Sequence, residues 1–237
     1  MTRHTPITRH LMRVAASAAA PGATVIADPD DTRSAVAAST QRGQDRAYEM
    51  MRAKLATDQR RLKETQSVER KVEIKREILP DYVPYISEVL ERDAGGQDDV
   101  VTTIMLWRLD ARDMGGAMDI ARYAIRHGLT MPAHFDRTLP ATVAEGFADT
   151  ADVPSGLLAE VIDLTASFDM VDQIRAKLFK AYGVALSAVD PDAALAAFRR
   201  AFELNDKIGV KRDIARLETL LSGKESAPGP DGGGSDA

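Results

Sequence analysis

The chain has 237 residues, 44% of them apolar and 28% charged, with a formal net charge of −5. That composition is that of a soluble globular protein with room for one fair-sized core or two small ones. It contains no cysteine, which excludes a disulfide framework and thiolate metal sites and fits a reducing compartment.

Aromatic residues make up only 5% of the chain. A core built from Ala, Leu, Ile, Val and Met suits packed helices better than a sheet sandwich, so the predicted fold class is all-α. No apolar run is long enough to span a bilayer. The stretch Ala15 to Ala20 lacks the Leu-rich centre of a secretion signal, so the chain is expected to stay inside the cell.

Charge is uneven. Residues 1–80 hold 15 Lys and Arg against 10 Asp and Glu, whereas residues 81–237 hold 16 against 26. A basic front on an acidic body confines any nucleic-acid contact to the front. A solvated helix face of mixed charge is the plainer reading of the same residues.

In chain order, residues 1–42 read as a mobile basic arm with Pro6, Pro21, Gly22 and Pro29 and no sustained apolar period. Residues 43–79 read as a long charged helix or a helix hairpin. They carry no proline, and no glycine after Gly43, and a thin apolar stripe of Tyr48, Met51, Leu55, Leu62, Val68, Val72 and Leu79 runs along them, interrupted at Asp58 and Thr65. A stripe that narrow suits a hairpin or pairing with another chain.

Residues 80–223 read as a helical domain. Pro80 and Pro84 end the long helix. Asp98 or Asp99 caps a helix to about Asp110, and a turn near Asp113 precedes another from Ala117 to Arg126, closed by Gly128. A short helix near Ala141 to Phe147 and four more, about 155–167, 170–189, 191–205 and 208–222, complete it. Ala117 to Arg126 and Ala194 to Glu203 share a spacing of small residues, predicting stacked antiparallel helix pairs, tetratricopeptide-like in the C-terminal half. Residues 224–237 read as a disordered tail.

The search for chemistry is mostly negative. There is no GxxxxGK[ST] phosphate loop, GxSxG or HExxH motif. His127 sits where imidazolium favours a helix C-terminus. A metal-dependent nuclease needs converging carboxylates, for which Asp98, Asp99, Asp110, Asp113 and Asp119 are the candidates. Asp98 and Asp99 lie about 17 Å from Asp110 along one helix, at roughly 1.5 Å per residue. Asp110 and Asp113 also suit a turn for backbone reasons. No catalytic residue or metal ligand is assigned, and Trp107 reads as a core anchor.

The run Asp98 to Asp110 with Met105, Leu106, Trp107 and Arg108, then Ala117 to Ile125, then Gly128 to Pro132, resembles the small terminase subunit of temperate contractile-tailed phages. That family is often labelled the terminase endonuclease subunit. Arg9-His10 and Arg13, Leu164-Thr165, Arg175 to Leu178 and Gly209 to Glu218 extend the resemblance over most of the chain. It implies a protein that binds viral double-stranded DNA at the packaging start site, assembles into a ring-like homo-oligomer, and recruits the terminase large subunit in the host cytoplasm. It further implies that ATP is used on the large subunit, with no cofactor in this one. Magnesium is needed here only if this chain itself cuts the cohesive-end site. Two features depart from the pattern: the C-terminal tail is acidic and Gly-rich, and no helix-turn-helix signature is evident. A helical scaffold that binds only proteins is the third reading. With DNA as the partner, the expected phosphate contacts are Arg3, Arg9, Arg13, Arg46, Arg52, Lys54, Arg60, Arg61, Lys63, Arg70, Lys71, Lys75 and Arg76.

Overall fold

The computed structural model describes residues 29–225, whose regular secondary structure is all helical, without a strand. The chain divides into two compact units, Met1–Arg46 and Ala47–Ala237. Arg3, Arg9 and Arg13 and residues 226–237 lie outside the described residues.

In the first unit, helix α1 (Pro29–Glu64) begins inside the stretch read from sequence as an arm. Proline suits the first helical position because its fixed φ is helical and its missing N–H would have no partner there. Gln41 donates to Asp45 one turn later, at 3.0 Å, and Arg46 is exposed.

The second unit starts within α1. No proline or glycine breaks the segment after Gly43, yet the helix stops at Glu64 and α2 (Val68–Ile78) starts afresh. Ser67 causes the restart: its backbone is extended and its side chain accepts from the Arg70 amide, capping α2. The chain then folds back, with Arg61 meeting Glu77 and Asp58 meeting Tyr82. This is the hairpin form of the two that the sequence allows. The break also changes the phase of the apolar stripe. Leu55 and Leu62 are buried as expected, but in α2 the buried positions are Ile74 and Ile78, while Val68 is 74% exposed.

A 3-10 turn (Leu79–Tyr82) leads to α3 (Val83–Arg92), α4 (Asp99–Asp110) and α5 (Met114–Arg126). Helix α4 is buried on nearly all sides, every residue from Val100 to Met105 included. Trp107 anchors it against Tyr82, edge to face at 6.1 Å between ring centroids. Then come α6 (Leu139–Asp149), α7 (Ser155–Thr165), α8 (Asp172–Leu186), α9 (Pro191–Leu204) and α10 (Lys211–Glu225).

One core runs from Leu55 to Leu178, and a smaller one around Phe198 and Leu217 holds α9 and α10. The alanines of the two similar segments, Ala117, Ala121 and Ala124 in α5 and Ala194, Ala197 and Ala201 in α9, are all buried. They let neighbouring helices approach closely, as does Gly183 of α8, which lies under the Phe198 ring. Helix pairs are present, but α8 packs on α6 as well as on α9. The packing therefore does not establish a tetratricopeptide-type repeat.

Candidate functional site

The hairpin carries nine of the expected phosphate contacts in the second unit, and the structure sorts them. Lys54 is turned inward. It bridges Asp58 at 2.9 Å and Asp81 at 3.0 Å and lies 4.9 Å from the centre of the Tyr82 ring. Burial draws its ammonium pKa down, but the hydrogen bonds to Asp58 and Asp81 outweigh that and leave it raised. Arg61 pairs with Glu77 across the hairpin. Lys75 pairs with Asp110 of α4, and Arg76 donates to the Ala111 carbonyl at 3.3 Å, satisfying the end of α4. These four have partners across the fold.

The others point outward. Arg52 has only a long 3.9 Å approach to Glu49, and Arg70 pairs with Glu73 three residues on. Arg60, Lys63 and Lys71 have no hydrogen-bond or ion-pair partner among the described residues. Arg60 and Lys63 occupy the last turns of α1, and Arg70 and Lys71 the first turn of α2. Four cations thus gather at the closed end of the hairpin, where side chains reach solvent and the Thr65–Ser67 turn brings the two helices together.

The carboxylates considered for metal chemistry have structural partners instead. Asp98 caps α4 through the Val100 and Val101 amides and accepts from the Tyr85 hydroxyl at 2.5 Å. Burial raises its pKa against the opposing pull of those hydrogen bonds. Burial also raises the Tyr85 hydroxyl, helped by the nearby Asp98. Asp99 accepts from Gln97, Asp110 from Lys75, Asp113 from Arg108 and the Gly116 amide, and Asp119 from Arg122. Among the described residues no three His, Asp or Glu side chains are grouped so as to hold a metal. His127 ends α5 and meets Asp93 at 2.6 Å; its hydrogen bond, with that from Arg126, holds the Asp93 carboxyl below its usual range.

One feature escaped the sequence reading. An open groove of about 1210 Å³ lies between α2, α4, α6 and the loop before α6. Its walls come from segments some 80 residues apart, so no local pattern announces it. The misplaced stripe residues Val68 and Val72 were its only sequence trace.

Fold and site define an all-helical protein whose hairpin presents cations at its closed end. The model of the phage small terminase subunit family matches residues 52–174, from the hairpin into α8. The "Terminase, endonuclease subunit" of Escherichia phage P2 is 46% identical over 186 residues, covering 75% of each chain. The "Probable terminase, endonuclease subunit" of Haemophilus phage HP1 is 27% identical over 176 residues, covering 64% of this chain and 62% of its own. No solved structure matches. The chain belongs to the phage small terminase subunit family, which serves the packaging of phage DNA. Among the described residues no helix is long and apolar enough to cross a membrane.

Proposed function

We propose that this chain is the DNA-recognising subunit of the packaging terminase. It binds viral double-stranded DNA at the packaging start site in the host cytoplasm, assembles as a homo-oligomer and recruits the large subunit. The observation that carries the reading is the set of outward cations at the closed end of the hairpin, inside the segment the family model matches. Phosphates give such cations affinity and fix orientation, while base contacts elsewhere choose the site. Arg52 extends the same charge along α1, and Arg3, Arg9, Arg13 and Arg46 are kept as further candidate phosphate contacts. This subunit needs no cofactor of its own; ATP is used on the large subunit.

The test is a mass measurement of the free protein and a gel shift on viral end-site duplex, with and without the large subunit. A mass of several chains and a shift that the large subunit enlarges are expected. A single-chain mass with no shift overturns the reading in favour of a scaffold that binds only proteins.

A second reading, that this chain itself cuts the cohesive-end site with magnesium, has in its favour the name endonuclease subunit printed for both phage relatives. Cleavage by the purified chain alone with magnesium, lost in Asp110→Ala or Asp113→Ala, would establish it. Absence of cleavage assigns cutting to the holoenzyme.

A further inference from the structure

The groove between α2, α4 and α6 is unused by the DNA reading. Its volume, about 1210 Å³, exceeds the roughly 300–1,000 Å³ of small-molecule pockets, and it is open to solvent. It therefore suits a segment of chain rather than a compact ligand. Val68, Val72, Leu106 and Phe135 make its apolar surface. Val68 is 74% exposed, more than any other large hydrophobic side chain described on the hairpin, and no described residue covers it.

The charges decide what kind of segment fits. Six carboxylates line the groove against three guanidiniums. Of the guanidiniums, Arg137 is taken by Glu145 and Arg76 by the Ala111 carbonyl. Glu73, Glu145 and Asp149 carry cations as well, but Glu69 on α2 and Asp136 on the loop before α6 have none among the described residues. A nucleic-acid backbone would meet this lining with like charge. A segment with apolar residues on one side and Lys or Arg beside them would cover Val68 and Val72 and supply cations to Glu69 and Asp136.

We propose that this groove docks a basic amphipathic helical segment of the terminase large subunit, laid apolar face down between α2 and α6. The proposal rests on the recruitment role above. It separates the two partners on one hairpin: the closed end of α1 and α2 meets DNA, and the side of α2 bearing Val68 and Val72 meets protein. One helix thereby connects both events.

The experiment titrates the full-length chain into purified large subunit by calorimetry. Three forms are compared: the wild type, Glu69→Lys with Asp136→Lys, and Val68→Ser. A labelled lysine–leucine amphipathic helical peptide serves as competitor. All substituted positions are exposed, so the fold, checked by circular dichroism, is expected to persist. The charge reversal should weaken binding at least tenfold, Val68→Ser should weaken it severalfold, and the peptide should compete with the large subunit. The end-site DNA shift should not weaken in either variant. Wild-type affinity in both variants, or a peptide that does not compete, overturns the groove as the docking site while leaving recruitment intact. No association of the wild type with the large subunit overturns recruitment itself, and the groove proposal with it.

Discussion

Replacing Arg60, Lys63 and Lys71 together by glutamine tests the DNA interface at the side chains the structure leaves without partners. Each phosphate contact on duplex DNA contributes about 0.9 to the slope of log affinity against log salt. Three contacts therefore contribute about 2.7. Over a fourfold rise in salt, from about 50 to 200 mM, the wild type should lose roughly 40 times more affinity than the triple variant. The three side chains support no other part of the fold, so stability should change by no more than about 0.5 kcal/mol. The assay is fluorescence anisotropy on the end-site duplex at four or more salt concentrations. Lys54→Gln is the control: Lys54 is held by Asp58 and Asp81, so its loss should lower the melting temperature and leave the slope nearly unchanged. An unchanged slope in the triple variant, or an equal drop in Lys54→Gln, refutes the placement of DNA at the closed end.

Three further outcomes follow from the packing. Asp58→Ala leaves the buried Tyr82 hydroxyl without its acceptor, at a cost of about 1–3 kcal/mol, read as a lower urea midpoint; an unchanged midpoint would show that the hairpin does not need this contact. Gly183→Ala places a methyl 2.8 Å from the Phe198 ring and should destabilise by about 1–3 kcal/mol through overpacking between α8 and α9. Asp93→Asn keeps a residue type that tolerates the left-handed backbone there (φ 51°) and removes only the charge. Because the Asp93 carboxyl is held below its usual 3.8 in the folded state, its stabilising effect is present above that pH and is lost as pH falls through the lowered value. The melting-temperature gap between wild type and Asp93→Asn should thus be full near neutrality and close in acid; a gap independent of pH would refute the charge argument.

Much of the fold was legible in the residues. Few aromatics, many alanines and long stretches without glycine or proline announce helices. Asp98 announces a helix start, because a short carboxylate can satisfy free amides; Asp113, read as part of a turn, caps a helix that starts at Met114, before the Ala117 expected. Trp107 reads as a core anchor, and it is one. The basic character of the first 80 residues and the family resemblance were also available without coordinates.

The sorting of the cations was not. Lys54 and Arg60 look alike along α1, yet one is half-buried and bridges Asp58 and Asp81 while the other faces solvent. Their difference depends on where the chain turns back. That turn follows from Ser67, whose capping role has to compete with a good helical sequence on either side. Composition and local spacing therefore determined that this is a helical chain with a cationic front. The tertiary structure decided which cations are free and where Val68 and Val72 face. Ion pairs across a hairpin, and a groove walled by α2, α4 and α6, join residues far apart in sequence, and no local preference encodes such distances.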